Sequence, residues 1–515
     1  MIVVLRHMSQ PTDKTIRIRI ASACLPVNKM TKVFWNDTVP ELKFLEGEMS
    51  MSKIAIIGSG VSGLTLGIGL IEQGHNVSIF TGLSGEDWMT KVPPTGAACR
   101  FAGSIDMEDE LGINYWDDTT PINGVHLTFS PKYSNKPGKP GRQLLDLMGR
   151  FSRPALAIDV RLQSHRWEKD FEERGGKTVL GNVDLEGLDK IAQEHDITFV
   201  AAGKAEIGKL FDVDEERSIY AKPQRKLAMI IMKNVDMDRS KDGIHFTHGI
   251  KFNFYGTEGE QFSVPFWHKD GYQCWNLVFE AKEGRAVDKF DNAKTGSEVL
   301  DVAKSVFKEL YPWDYEWIKN AEPTDEKGWL KGSVRPCFKK PVGKLPSGAI
   351  VMAVGDTANT LDPIGGQGAN NNYRQIKRLL SDMKDNTAGD YSEVWMNATF
   401  DKYFSEIGYN TNRFNNTLLE PLTKAGQRML ISQYGSTGKE GDDSVQQLIA
   451  DAFVENFDNP NNITDTFHDD AKAKAWINKQ SGGRAGAIDL SGKMAIAKGQ
   501  LRQVLGMSRS SHPLA

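Results

Sequence analysis

Cysteine is scarce in this chain, and its histidines are isolated from one another. The four cysteines are Cys24, Cys99, Cys274 and Cys337, and no Cys-x-x-Cys pair or other metal-ligand spacing occurs among them. His165 and His268 could suggest acid–base catalysis, but an isolated histidine is more often structural or exposed. The sequence therefore predicts reduced thiols in a cytoplasmic protein, without a metal site.

Long apolar runs and an excess of one charge are also missing. No stretch approaches the roughly twenty apolar residues that a helix needs to span a bilayer, so we expect no membrane partner. The net charge of −4 gives no sign of nucleic-acid binding. With 515 residues, of which 39% are hydrophobic and 25% charged, the chain can form one large domain or two interleaved domains.

A glycine motif follows the first apolar run of the main part of the chain. Residues 54–57 are typical of a buried parallel strand, and a helical pattern follows the motif and ends at Gly74. Gly58 permits a tight turn, Gly60 lets backbone N–H groups approach a pyrophosphate, and Gly63 allows close helix packing. The helix N-terminus adds the positive end of a dipole. This setting predicts a dinucleotide site; the alternative is an ordinary glycine turn.

The acidic residue that commonly binds the ribose about twenty residues further on is absent. The second predicted strand ends in Phe80-Thr81-Gly82, and the nearest acid, Glu86, lies in a polar loop. A carboxylate there would add charge-assisted hydrogen bonds. Its absence suggests a cofactor that is held less tightly at the ribose end.

A second glycine-rich segment, almost three hundred residues later, indicates which dinucleotide binds. Residues 349–354 are typical of a buried strand, which delivers Gly355-Asp356 at its end. An aspartate there can accept hydrogen bonds from a ribityl chain, which FAD has and NAD lacks. Asp362-Pro363 predicts a turn, and Gly366 begins a helix whose N-terminus favours negative charge on a reduced flavin. The alternative is a capped surface helix.

Several motifs, in order along the chain, carry a family resemblance. They are the Gly58 motif, Ile158-Asp159-Val160-Arg161-Leu162, Glu173-Arg174-Gly175-Gly176-Lys177, Phe199-Val-Ala-Ala-Gly203-Lys204, Lys222-Pro223-Gln224-Arg225, Ser333-Val334-Arg335-Pro336, and Asp362-Pro363 through Asn370. The chain resembles the styrene and indole monooxygenases, the oxygenase components of two-component flavoprotein systems, over roughly residues 53–476. Each motif is weak alone, and the ordered set is specific.

The resemblance implies an α/β fold like that of p-hydroxybenzoate hydroxylase, with an FAD-binding Rossmann domain, an interleaved β-sheet substrate domain and C-terminal helices. The expected divisions are a dispensable extension (1–50), the first FAD-binding part (51–205), the substrate domain (206–330), the second FAD-binding part (331–390), a helical region (391–480) and a flexible tail (481–515). Residues 1–50 lack the apolar core of a signal peptide.

The implied reaction uses reduced FAD and O2 to form a C4a-hydroperoxyflavin, which epoxidises or hydroxylates a small aromatic or alkene substrate. Since the flavin carries the chemistry, we expect no catalytic side chain, only backbone near Pro363, Gly366 and Gln367. The expected FAD-binding residues are Gly58, Gly60, Val61, Ser62, Gly63, Arg161, Gly355, Asp356, Pro363, Gly366, Gln367, Gly368, Ala369 and Asn370.

The expected substrate pocket is apolar and suits an aromatic molecule. Its predicted residues are Phe266, Trp275, Val334 and Pro336. The alternative is that these side chains only fill the core. Pro94-Thr95 stands where the family's styrene epoxidases have Asn-Thr, which puts styrene itself in doubt.

The place where single-component hydroxylases carry an Asp-Gly pair for NADPH has Ala202-Gly203-Lys204 instead. The resemblance thus implies an NAD(P)H-dependent flavin reductase as partner. The oligomeric state stays open, a homodimer included. The alternative functions are a non-catalytic FAD-binding module and another flavin oxidoreductase; for a halogenase, the Trp-x-Trp-x-Ile-Pro signature is missing.

We predict that the purified chain alone does not oxidise NADPH at a rate that matches product formation, because it lacks the acid at Ala202. NADPH absorbance and product should be followed together, with and without an added flavin reductase. Matched NADPH consumption and product formation by the chain alone would contradict the two-component interpretation.

Overall fold

The computed structural model describes residues 51–96, 99–130, 145–202, 205–235 and 249–507. The predicted extension at 1–50 lies outside the described residues. So do Gly203 and Lys204, which belong to the segment interpreted as lacking an NADPH site.

Short strands and helices alternate in the first part of the chain, and helices dominate its end. The strands are β1 Lys53–Ile57, β2 Asn76–Thr81, β3 Cys99–Arg100, β4 Ile122–Ser130, β5 Leu145–Ala157, β6 Lys177–Leu180, β7 Ile197–Val200, β8 Lys226–Lys233, β9 Ile250–Tyr255, β10 Gly259–Trp267, β11 Gln273–Ala281, β12 Glu322–Pro323, β13 Trp329–Gly332, β14 Cys337–Phe338, β15 Val342–Lys344, β16 Ile350–Ala353 and β17 Asn359–Thr360. The helices are α1 Val61–Glu72, α2 Gly85–Thr90, α3 Ala102–Glu110, α4 Val160–Glu173, α5 Leu185–Gln193, α6 Ala205–Gly208, α7 Gly296–Leu310, α8 Tyr315–Ile318, α9 Gln367–Asp385, α10 Glu393–Tyr403, α11 Tyr409–Leu419, α12 Lys424–Ser432, α13 Val445–Val454, α14 Asp470–Ser481 and α15 Ala485–Val504.

A six-stranded sheet contains both glycine segments at its strand ends. Its order is β15-β16-β7-β1-β2-β6, in which all neighbours are parallel except β15 and β16. β1 lies inside this sheet, and its apolar residues after Lys53 are all buried, as a continuous apolar run in a parallel sheet requires. Helices α1 and α9 follow the two glycine segments and contact each other. The sheet therefore places both helix N-termini on one side of the molecule.

A nine-stranded sheet forms the second half of the architecture. Its order is β12-β8-β11-β10-β9-β4-β5-β3, and β13 also pairs with β8. One face packs on α7 around Phe279 and Phe307. The other face shares a core with the C-terminal helices around Phe252 and Phe457. Both faces are covered in part by helices, so its strands are buried on both sides.

This sheet corrects the expected domain division. Strands β3, β4 and β5 lie within 51–205, the segment expected to belong to the FAD-binding part, yet β4 pairs with β9 in parallel. The sheet is completed by a pairing between residues more than one hundred positions apart, such as Val125 with Ile250. Local sequence patterns do not contain that information.

The predicted elements of the middle region agree with the structure apart from their ends. Apolar runs between turn signals predict strands at residues 226–232, 245–255, 261–267 and 273–280, and helical periodicity predicts a helix at 293–310. The strands are β8, β9, β10 and β11, of which the second is described from residue 249 onward, and the helix is α7. The helix predicted over 391–418 is α10 and α11, which a π-helical turn at Phe404–Gly408 joins.

Most of the tail that was expected to be flexible from residue 481 onward is a helix. Helix α15 occupies Ala485–Val504, and Gly492 lies against α12, where an added Cβ would stand 2.0 Å from the Ile431 carbonyl oxygen. Glycine and basic residues suggested flexibility, but Gly492 instead allows close helix packing. No helix among the described residues is long and apolar enough to cross a membrane.

We predict that Gly492→Ala destabilises the docking of α15 by about 1–3 kcal/mol, because the Ile431 carbonyl must move. Gly486→Ala is the matched control on the same helix, since a Cβ there meets nothing within 4 Å; it should stabilise the helix by up to about 1 kcal/mol. Hydrogen exchange of the α15 amides measures both. Equal protection in the two variants would contradict the packing role of Gly492.

Candidate active site

A cleft of about 910 Å³ runs between the two sheets. The ends of β1 and β7, the turn after Asp356 and the N-terminus of α9 line one end of the cleft. Strands β8, β10, β11 and β13 line the other. The cleft therefore joins both glycine segments to the face of the nine-stranded sheet.

The first glycine motif forms a close turn under the start of α1. Gly58 has φ +110°, and a Cβ at Gly63 would lie 1.9 Å from the Gly58 carbonyl oxygen. At Gly60, by contrast, a Cβ would meet nothing within 4 Å, so the space in front of it is open. Gly60, Val61 and Ser62 line the cleft, and no side chain caps this helix. Its first N–H groups are thus available to an anion.

The second glycine segment packs directly on the first. Gly355 has φ +63°, and a Cβ there would lie 2.6 Å from the Ser62 Oγ. The Gly355 N–H donates to the Gln375 Oε1 at 2.7 Å, and the Asn372 Nδ2 donates to the Asp356 Oδ1 at 3.1 Å. Asp356 is open to the cleft, but the protein atoms around it raise its pKa by desolvation, while the Asn372 hydrogen bond lowers it.

The segment 362–370 lines the cleft beside Asp356. Pro363, Gly366, Gly368 and Ala369 are lining residues. Gly366 has φ +59° and begins α9 without a side-chain cap. The start of α9 therefore presents backbone donors to the cleft.

Two predicted cofactor residues of this segment use their side chains inside the protein instead. The Asn370 Oδ1 accepts from the Phe101 N–H at 2.9 Å and the Ser104 Oγ at 2.8 Å. The Gln367 Nε2 donates to the Gly365 and Phe457 carbonyls, both at 3.0 Å. Their side chains thus hold the segment 362–370 in place, and neither residue lines the cleft.

An apolar row crosses four strands at the end of the cleft that the nine-stranded sheet lines. Phe262 stands opposite Val278, Val278 opposite Met229, and Met229 opposite Leu330. All four residues line the cleft. We name these four side chains the apolar row.

Only one of the four predicted substrate residues lines the cleft, and it is Val334. Phe266 is buried in the core that the sheet shares with the C-terminal helices. Trp275 points to the opposite face of the sheet, toward α7, and Pro336 is buried. The apolar row can be predicted only from the pairing register of β8, β10, β11 and β13. The sequence contains one usable signal for it, because Phe262 alternates with polar neighbours, as in a strand with one buried face.

The cleft contains very little charge. Asp356 is the single ionisable carboxylate or basic side chain among the described lining residues. Cys99 also lines the cleft, but burial raises the pKa of its thiol to about 12, so it stays protonated. Thr95, of the Pro94-Thr95 pair, is another lining residue.

Arg161 lies behind the cleft wall in an ion cluster. Its guanidinium donates to Asp159 at 2.7 Å and to Asp325 at 3.0 Å, and His268 contacts the same Asp325 oxygen at 2.9 Å. Burial raises the pKa of Asp325, but the hydrogen bonds from His268 and Arg161 outweigh this and leave it well below its usual range. The cluster ties the start of α4 to the segment before β13, and Arg161 does not line the cleft.

The residues present fit FAD. The open backbone at Gly60 fits a pyrophosphate, Asp356 can accept from ribityl hydroxyls, and the α9 N-terminus can face the flavin ring. The Asn372 side-chain oxygen is buried without a hydrogen-bond partner, although Asn372 lines the cleft; it is an acceptor that a ligand can satisfy.

Comparisons with known proteins find similarity to styrene monooxygenases. Residues 203–317 match the family model described as "Styrene monooxygenase A putative substrate binding domain". The chain is 24% identical over 436 residues to the styrene monooxygenase StyA of Pseudomonas fluorescens, which covers 83% of this chain and 98% of that protein. It is also 24% identical to StyA of a Pseudomonas species, with the same coverage.

Solved structures share the fold at low sequence identity. The flavin-dependent halogenase CmlS superposes with a TM-score of 0.55 at 14% identity, over 78% of this chain and 76% of that chain. A flavoprotein/dehydrogenase from Cytophaga hutchinsonii has the same TM-score and identity, over 84% of this chain and 100% of that chain. The predicted fold class, an α/β fold with an interleaved β-sheet, is thereby confirmed.

We predict that Arg161→Gln lowers the free energy of unfolding by about 3–5 kcal/mol, because Asp159 is left buried without its ion partner. Arg153→Gln is the matched control, since Arg153 and Asp106 form an exposed pair whose loss costs at most about 1 kcal/mol. Chemical denaturation measures both variants. If Arg161→Gln weakened FAD binding without loss of stability, Arg161 would be a cofactor ligand after all.

Proposed function

We propose that this chain, which is similar to styrene monooxygenases over most of its length, uses reduced FAD and O2 to oxygenate a small aromatic or alkene substrate. The observation that carries this proposal is the continuity of the cleft. One cavity connects the two glycine segments with the apolar row, so a bound cofactor and an apolar substrate would meet inside it.

Three parts of the chain would hold FAD. The N–H groups at Val61 and Ser62 would bind the pyrophosphate, Asp356 the ribityl chain, and the backbone at Pro363 and Gly366 the flavin ring. FAD supplies an activated oxygen atom from O2 when it is bound in reduced form.

The contribution of the chain itself is to position the substrate and exclude water. Phe262, Val278, Met229 and Leu330 offer no hydrogen-bond donors to a bound molecule, which favours a substrate without polar groups over water. One oxygen atom of O2 would enter the substrate double bond as an epoxide or hydroxyl group, and the other would leave as water. This positioning needs no acidic or nucleophilic side chain in the cleft.

A separate NAD(P)H-dependent flavin reductase would supply the reduced FAD. No lysine or arginine lies among the described lining residues, so neutral backbone groups would carry the binding of an anionic cofactor. Such contacts lack the added strength of a charged partner. A cofactor held in this way can leave and return, which a shared, exchangeable flavin requires.

Rapid mixing of the protein with reduced FAD and oxygenated buffer tests the function. We expect a transient flavin absorbance that differs from both reduced and oxidised FAD and that decays faster with styrene or indole, together with a product that carries label from isotopic O2. Release of hydrogen peroxide alone, with intact FAD binding and a broad panel of aromatic alkenes, would contradict the proposal.

The variant Val278→Thr tests the role of the apolar row. A hydroxyl in place of a methyl group must lose water when an apolar substrate binds, at a cost of about 1–3 kcal/mol, so KM should rise about tenfold while FAD affinity stays unchanged. Val264→Thr is the matched control, because Val264 is buried on the neighbouring strand and does not line the cleft. An equal change of KM in both variants would indicate a general loss of structure.

A further inference from the structure

A second row of residues lies two positions further along each of the same strands than the apolar row. Glu260 stands opposite Glu280, Glu280 opposite Leu227, and Leu227 opposite Gly332. Leu227 and Gly332 line the cleft, while both glutamates are buried. The sheet therefore places two carboxyl groups directly beside the wall of the proposed substrate site.

Arg225 forms an ion pair with only one of these carboxyl groups, that of Glu260. Its Nε donates to Glu260 at 2.6 Å, and its Nη2 donates to the other Glu260 oxygen and to the Leu419 carbonyl, both at 3.1 Å. Its Nη1 donates to the Gln224 carbonyl. The guanidinium thus hydrogen-bonds to Glu260 and not to Glu280.

Glu280 lies within hydrogen-bond reach of Asp362, the residue before Pro363. The Glu280 side chain is 0% exposed and that of Asp362 is 1% exposed. Neither oxygen of Glu280, nor the Asp362 Oδ2, has a donor from the described residues, whereas the Asp362 Oδ1 accepts from the Ile364 N–H at 3.2 Å. Two carboxyl groups in contact can form a hydrogen bond only if one of them keeps a proton.

The other charged groups nearby do not remove the need for that proton. Tyr220 donates to Glu420 at 2.7 Å, and the Lys282 Nζ donates to the Gly256 carbonyl at 2.7 Å; neither donates to Glu280. Burial raises the pKa of Glu280 well above its usual value, and the charges of Asp362 and Glu260 raise it further against the opposing effect of Arg225. Burial also raises the pKa of Asp362.

We propose that Glu280 is a positioning residue that keeps its proton at neutral pH, donates it in a hydrogen bond to Asp362, and so couples FAD binding to proton uptake. This inference rests on the proposed binding of FAD at 363–366. Loss of the proton leaves two adjacent buried carboxylates, whose repulsion displaces the segment that starts at Asp362. It also adds negative charge behind the site of an anionic cofactor.

The direction of the pH effect follows from this arrangement. A carboxyl group that holds its proton more strongly in the bound protein than in the free protein makes binding weaker as the pH rises between the two pKa values. At a pH where the free protein has lost the Glu280 proton, binding takes up one proton from the solvent onto the Glu280 carboxylate.

Glu280→Gln is the deciding variant, because its amide can donate to Asp362 at every pH. Oxidised FAD is the probe, and its affinity and proton uptake are measured by calorimetry in buffers of different ionisation enthalpy from mildly acidic to alkaline pH. We expect the affinity of the unmodified protein to fall by up to about tenfold per pH unit in the alkaline range, and that of Glu280→Gln to stay level. Glu283→Gln, an exposed change of the same charge three residues away, should behave like the unmodified protein.

Two further measurements separate this inference from the function proposed above. Infrared spectra of the FAD-free protein should contain a protonated-carboxyl band that Glu280→Gln removes, and Glu280→Ala should weaken FAD binding at neutral pH where Glu280→Gln does not. An unchanged infrared band in Glu280→Gln, or the same pH dependence in both proteins, would overturn the proposal. Absence of FAD binding in every variant would contradict the proposed function and leave the infrared result to decide on the proton.

Discussion

The close approach of three backbone segments around the first turn of α1 determines the rest of the site. Gly63 lies on the Gly58 carbonyl, and Gly355 lies on the Ser62 side chain, so a side chain at either glycine would push these segments apart. The contact joins two stretches of chain that are almost three hundred residues apart. Once they are joined, the N-terminus of α1 and the Asp356 carboxylate must face the same cleft, which is what a long dinucleotide such as FAD requires.

This part of the site could be predicted from the sequence because its requirements are local. Gly58, Gly60 and Gly63 have a spacing that is typical of a strand–turn–helix unit when an apolar run precedes it. Gly355 and Gly366 both adopt the left-handed conformation that glycine favours. Each motif describes its own turn without reference to the other. For the same reason, the strands and helices of the middle region were predictable to within a few residues.

The substrate end could not be predicted in the same way, because it depends on strand register. Phe262 and Phe266 lie on the same face of the same strand and belong to the same core, yet only Phe262 also lines the cleft. Phe262 pairs with Val278, which also lines the cleft, whereas Phe266 pairs with Cys274, which does not. That pairing is non-local. The role of Arg161 could not be predicted for the same reason. Its partner Asp325 lies 164 residues away, and no sequence pattern around Arg161 indicates that contact.

Both ends of the cleft have the same distribution of charge. The lining presents Asp356 and otherwise neutral groups, while the ion clusters around Arg161 and around Arg225 stand behind its walls. A cation in the cleft would strengthen the binding of FAD, but it would also hold water beside an apolar substrate and slow the exchange of the cofactor. Ion pairs behind the wall can fix the position of the lining segments without those effects. The carboxyl pair of Glu280 and Asp362 fits this arrangement, because a retained proton removes one negative charge at the point where the apolar row meets the segment that would hold the flavin.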